Sequence, residues 1–185
     1  MKVLMVHNLY ALRGGEEACF NREVQLLRNK GCEVIPYIQD NRSIVGRGPS
    51  LGLALRTTWS ATDYNALRKV IRTTRPDVVH VHNWFPLISP AVYYASRAEG
   101  VPVVQTLHNY RMLCPAATML RAGAPCELCV GKMVAWPGIL HGCYPKGRAA
   151  TTAIVAMLAV HSALKTWTRL VDVYVAQNEF MRQKF

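Results

Sequence analysis

The sequence predicts an α/β protein: a Rossmann-like parallel sheet with helices on both faces and a Cys-rich insertion. Two observations carry that prediction. Short apolar runs alternate with amphipathic segments of helical length, the pattern left by parallel strands that are covered on both faces. The alternation stops once, after residue 108, for about forty residues rich in Cys, Pro and Gly, too many for an ordinary connection. With 185 residues, 51% of them apolar, the chain can bury one sizeable core, and it reads as a single domain over 1–185 with the insertion at about 109–148.

The elements follow in order. "KVLMV" opens as a short buried strand and "LYALRGG" as the loop after it. "EEACFNREVQLLRNKG" reads as a helix, with acids in its first turn to complement the dipole and Gly31 after its last. "CEVIPYIQ" is the second strand and "DNRSIVGRGPS" a loop; "LGLALRTTWS" and "TDYNALRKVIRTT" read as two helices before Pro76. Next come the strand "DVVHVH", a helix "SPAVYYASRAEG" with Ser89 as N-cap and Pro90 at its first position, and the strand "VPVVQTLH". Beyond the insertion the rhythm resumes with a helix from about Ala149 to Thr166, a strand "VDVYVAQ", and a helix "NEFMRQKF" capped by Asn178. That last helix reads as cut short, as in a piece of a longer protein.

Lys and Arg number 22 against 11 Asp and Glu. The excess is spread thinly, 7 against 5 in residues 1–50, 9 against 4 in 51–145 and 6 against 2 in 146–185. Such a balance favours anionic partners, whether nucleotide diphosphates, nucleic acid or an anionic membrane surface, without choosing among them. The N-terminus lacks a long apolar region followed by a small-residue cleavage site, so a cytoplasmic location is expected. "RAATTAIVAMLAVHSALKTW" falls short of the roughly 18 consecutive apolar residues of a spanning helix and reads as a buried helix. A peripheral contact at the inner face of the membrane, made by this segment after Lys146-Gly147-Arg148, is the weaker reading, because its polar face is sparse in Lys and Arg.

Three apolar runs end in the same polar pair: His7-Asn8, His82-Asn83 and His108-Asn109. Taken singly, each pair is polar punctuation where a strand leaves the core. Taken together they fall on one edge of the sheet, the carboxyl ends of parallel strands, where ligands bind in such folds. The loop at Gly14-Gly15 adds to that edge. Two residues without Cβ let backbone amides approach an anion at a helix N-terminus, although Glu16 and Glu17 would oppose a phosphate locally. Neither a G-x-G-x-x-G nor a G-x-x-x-x-G-K-[ST] fingerprint occurs.

The Gly-Gly-Glu loop at 14–16, the "PDVVHVHN" and "VPVVQTLHN" strands and the "VDVYVAQNEFMRQKF" ending, in this order, resemble the N-terminal, acceptor-side half of a family-four, GT-B type retaining glycosyltransferase. The resemblance implies transfer of a sugar from a nucleotide-sugar donor to a saccharide or lipid-linked acceptor. It places Gly14 and Gly15 next to the donor diphosphate and acceptor, His108 beside the transferred sugar as the catalytic-site residue, and His82, Asn83 and Asn109 along the cleft. It also implies no catalytic divalent metal. The family's second domain, which binds the nucleotide sugar and carries two glutamates eight positions apart, has no counterpart in these residues, so the expectation is a chain that turns over slowly or not at all by itself.

Cys126-x-x-Cys129 has the chelating spacing of a zinc knuckle, and Cys114 and Cys143 flank it at 12 and 14 residues. Four thiolates there would make a structural zinc site, with His141 as a substitute ligand; disulfides and free or redox-active thiols compete with it. Cys19 and Cys32 read as packing residues. A rival function follows from the same features, a zinc-stabilised nucleic-acid-binding module without catalysis. Against it, basic residues do not gather around the cysteines and no stacking platform of aromatics and Arg is visible, so nucleic acid is not the expected partner.

Overall fold

A computed structural model describes residues 1–12, 14–46 and 50–185. The loops expected at 9–15 and 40–50 include Arg13 and residues 47–49, which lie outside the described residues. The first strand, β1 (Lys2–Leu9), leads into helix α1 (Gly15–Asn29) and strand β2 (Glu33–Asp40). A short 3-10 turn (Asn41–Ile44) precedes α2 (Leu51–Thr58), α3 (Ala61–Thr74), β3 (Val78–Asn83), α4 (Ala91–Ala98) and β4 (Val103–Leu107). The insertion holds a two-residue hairpin, β5 (Leu120–Arg121) with β6 (Ala124–Pro125), and the short α5 (Trp136–His141). The chain then returns through α6 (Gly147–Ala163), α7 (Thr166–Arg169), β7 (Val173–Ala176) and α8 (Glu179–Lys184).

Five strands form one parallel sheet in the order β2-β1-β3-β4-β7. The strand order reverses between β1 and β3, and a crevice opens outside their carboxyl ends, which is the ligand position of doubly wound folds. Period-two alternation sorts the side chains onto two layers. Val3 and Met5 pack with Phe20, Val24 and Val34 beneath α1. Leu4, Val6, Val79, Val81 and Val103 pack on the opposite face with Leu67 and Ile71 of α3, Val92 and Tyr93 of α4 and Met157 of α6. Leu67, Tyr93 and Met157 are fully enclosed, and each contributes about 2 kcal/mol by its burial.

Caps fix several helix starts. The side chains of Ser50, Ser60 and Asn178 accept hydrogen bonds from the backbone amides of Leu53, Asp63 and Met181. α4 departs from expectation: it starts at Ala91, one residue later than the sequence pattern places it. Ser89 takes a left-handed conformation with φ 63°. Its hydroxyl accepts from the Ala91 N–H at 3.2 Å and from the Ser60 N–H at 2.9 Å, so one side chain caps α4 and ties it to α3. The helix expected from about Ala149 to Thr166 is broken at Lys165, whose φ is 55°, into α6 and α7. Among the described residues, no helix is long and apolar enough to cross a membrane.

Candidate functional site

The three His-Asn pairs diverge in space because adjacent strand residues face opposite sides. Their histidines turn toward α1. His7 stacks on Phe20 with centroids 4.6 Å apart, His82 lies edge-on to Phe20 at 5.2 Å, and His108 stacks on His82 at 5.1 Å. His80, two residues before His82 and on the same face, joins them at 4.6 Å. Glu23, one helical turn beyond Phe20, reaches His80 Nδ1 at 3.1 Å and faces His82 Nε2 at 3.4 Å.

Burial holds all four rings neutral. It lowers the pKa of His7, His80 and His108 to about 4, His7 and His80 being lowered further by the neighbouring His108. His82 falls to about 2 through burial and then the three rings around it. Neutral rings bonded in series constrain one another's tautomers. The Gln177 amide donates to His108 Nδ1 at 2.7 Å, which leaves the His108 proton on Nε2 to bond His82 Nδ1 at 2.9 Å. The His82 proton then sits on Nε2, directed at Glu23. His80 faces the Glu23 carboxylate through Nδ1 at 3.1 Å and bonds the Thr106 hydroxyl through Nε2 at 2.8 Å. Burial also raises the Glu23 pKa. Among the described residues, Glu23, His80 and His82 are the one group of three such ligand atoms within 4.8 Å of one another. His82 Nε2, 3.4 Å from Glu23, is buried and makes no hydrogen bond among the described residues.

The asparagines do different work. Asn8 donates to Asn41 Oδ1 at 2.8 Å and accepts from the Leu87 N–H at 2.8 Å; Asn83 donates to the Asn8 carbonyl at 2.7 Å and accepts from the Phe85 N–H at 3.0 Å. Both stitch loops together behind the crevice and leave little capacity for a ligand. Asn109 accepts from the Arg111 N–H at 3.0 Å and shapes the turn that follows β4.

Tyr10, His108, Asn109 and Arg111 line the crevice, and Glu16 interacts with Tyr10, Asn109 and Arg111 beside it. The Arg111 guanidinium is buried over the Phe85 ring at 4.2 Å and bonds the Pro115 carbonyl. Burial lowers its pKa. Glu16, in the first turn of α1, is turned inward: burial raises its carboxyl to about 7, against the pull of the Asn109 amide and the Arg111 charge. Its Oε1 is buried with no hydrogen-bond partner among the described residues. Burial and then Glu16 raise the Tyr10 hydroxyl to about 12. A carboxyl whose pKa burial raises, beside a phenol and a buried guanidinium, is a candidate functional group.

Gly14 is the N-cap of α1 and has extended backbone, φ −144°, so neither its conformation nor that of Gly15 demands glycine. A Cβ on either would meet nothing within 4 Å. The open space lies outside the first turn, whose amides receive no side-chain cap. The cysteines Cys114, Cys126, Cys129 and Cys143 converge on one small cavity in the insertion. His141 is exposed at the end of α5 and stays apart from that cavity.

Glu16, Glu23 and His80 went unrecognised in the sequence. Glu23 had a signal: it occupies a position of the apolar stripe Phe20-Glu23-Val24-Leu27, where a carboxylate needs a buried partner. Glu16 had one in the Gly-Gly-Glu loop, but an acid in a first turn ordinarily faces solvent and there would oppose a phosphate.

A parallel sheet of this order, with polar groups from β1, β3 and β4 gathered at the switch point, is a Rossmann-like fold, and such folds host many functions. The family model for Glycosyltransferase Family 4 matches residues 13–127, more than half of the chain, and the chain belongs to that family. Among solved structures, an S. aureus MnaA–UDP co-structure is similar at 20% identity with a TM-score of 0.41, over 60% of this chain and 30% of that one. The chain thus spans less than a third of the length of that relative. Comparison with curated proteins gave no match.

Proposed function

We propose that this domain is the acceptor-side lobe of an enzyme that moves a sugar from a nucleotide-sugar donor to a saccharide or lipid-linked acceptor. The observation that carries the reading is the meeting of His108, Glu16 and Arg111 at the switch point of a family-four domain. His108 Nδ1 is the ring nitrogen on the exposed side, bonded to the Gln177 amide; a sugar hydroxyl replaces that amide in this reading. A hydroxyl that donates to Nδ1 in place of the amide keeps the ring proton on Nε2, toward His82. Glu16 bonds an acceptor hydroxyl, and the uncapped amides at Gly14 and Gly15 approach the departing diphosphate. Holding donor and acceptor in register supplies most of the acceleration such a site can give.

An apolar hollow of about 440 Å³ runs on from the crevice, bounded by Leu107, Met112, Met133, Trp167 and Phe185. It favours an acceptor with an apolar end over a small free sugar. The test is release of nucleoside diphosphate by the full-length protein from a panel of nucleotide sugars with soluble and lipid-linked acceptors. His108→Ala should lower kcat/KM by about 100-fold or more. An unaltered rate, or salt-sensitive oligonucleotide binding with no saturable nucleotide-sugar binding, would overturn the proposal.

A further inference from the structure

We propose that Cys114, Cys126, Cys129 and Cys143 form a structural tetrathiolate zinc site that holds the insertion together. The inference is independent of the transfer reaction and stands or fails apart from it.

The insertion needs such a cross-link. Between residues 113 and 135 its regular structure amounts to one hairpin of two-residue strands, and every residue from Leu120 to Val134 is exposed or half-buried. Three residues other than glycine, Ala117, Met119 and Ala122, are held at positive φ of 68°, 52° and 50°. Each such residue costs about 1 kcal/mol or more. Little apolar burial offsets this, so another source of folding energy is required, and a bound metal is one.

The thiols are placed to supply it. All four border one cavity of about 20 Å³, closed otherwise by Leu113, Pro115, Leu120 and Val130; that is room for one ion and little more. The C-x-x-C pair leaves directly from the hairpin, where the Cys126 N–H donates to the Met119 carbonyl at 2.8 Å. A tight turn follows, with Lys132 N–H on the Cys129 carbonyl at 3.2 Å and Gly131 at φ 73°. Cys143 arrives from the far side, just past the left-handed Gly142 that ends α5, its N–H on the Gly138 carbonyl at 3.1 Å. Cys114 closes the turn that begins at Tyr110, its N–H on the Tyr110 carbonyl at 2.8 Å.

Among the described residues no three of the sulfurs lie within 4.8 Å of one another, whereas Zn–S bonds of about 2.3 Å require sulfurs about 3.8 Å apart. Binding therefore requires the four Sγ atoms to close in on the cavity that they already border. On binding, four S–H protons are released to solvent and four Zn–S bonds form, leaving a site of net charge −2. Arg121, which borders the cavity, offsets part of that charge.

The experiment is elemental analysis of the purified protein together with thiol titration. About one zinc per chain is expected, with Cys19 and Cys32 the only thiols reactive before denaturation in chelator and all six reactive after it. Cys126→Ser with Cys129→Ser should reduce the zinc to below about a tenth of that, while Cys19→Ser with Cys32→Ser should leave it unchanged. Should the first pair fail to fold, cobalt exchange into the unaltered protein still reports the ligands, since a tetrathiolate gives intense sulfur-to-cobalt bands. Four thiols as reactive as Cys19 with no bound metal, disulfides among them in a non-reducing peptide map, or zinc retained by the Cys126→Ser, Cys129→Ser protein would each overturn the proposal.

Discussion

Replacing His7 with Phe separates a buried neutral imidazole from a ligand-binding one. In the fold, burial and then His108 hold this ring at a pKa of about 4, against about 6.5 in an unfolded chain. The folded ring binds its proton more weakly, so as pH falls below about 6.5 the unfolded chain protonates first, and stability drains away until about pH 4. With those two values the loss between pH 7 and pH 5 is about 2 kcal/mol. His7→Phe removes the titrating group and keeps the stack on Phe20, whose ring lies 4.6 Å away at 14°. It strands no partner, because neither His7 nitrogen makes a hydrogen bond among the described residues. Urea unfolding at pH 7 should show equal or greater stability, and the fall from pH 7 to pH 5 should shrink by about 2 kcal/mol. An identical pH dependence in the two proteins would refute the neutral, buried assignment. A collapse of transfer activity with stability intact would mean that His7 meets a ligand after all.

Glu16→Gln should act in the opposite pH window. The carboxyl is raised to about 7, so its ionisation destabilises the fold as pH rises from about 4.5 through 7. The amide should therefore gain roughly 3 kcal/mol at pH 8 and less than about 1 kcal/mol at pH 5 in the same unfolding assay, while transfer falls. Asp63, fully buried, accepts from Tyr37 at 2.7 Å, Gln39 at 2.8 Å, Ser60 at 2.5 Å and Arg56 at 3.2 Å. Asp63→Ala should cost about 3–5 kcal/mol by stranding those donors, and Asp63→Asn less; a cost below about 1 kcal/mol would show that the network does not support the fold. Gln177→Ala removes the donor to His108 Nδ1, so imidazole nitrogen spectra should shift toward mixed tautomers. Unchanged spectra would mean that His82 alone sets the proton position.

The parallel sheet, the helix order and the edge on which the His-Asn pairs end were legible because each rests on short-range pattern. Apolar runs such as "KVLMV" bury on both faces, and Gly31 marks the end of α1 through its left-handed backbone, φ 80°. The interior of the insertion was not legible, since its hairpin and α5 have too few residues for periodicity to show. Nor was the break at Lys165, where tertiary packing overrides an otherwise continuous helical pattern.

By itself the sequence determined that polar residues would end three strands on one rim, since strand order and hydrophobic alternation are properties of the chain. Only the tertiary structure decided what each of them does. Consecutive side chains of a strand face opposite layers, so each pair divides, His7 and His82 going under α1 and Asn8 and Asn83 into the loops behind the crevice. Which helix covers a layer, and that it brings Glu23 to the imidazoles and Glu16 to Arg111, depends on packing between segments far apart in the chain. Burial there sets their protonation, a property of the surroundings that no single residue type carries.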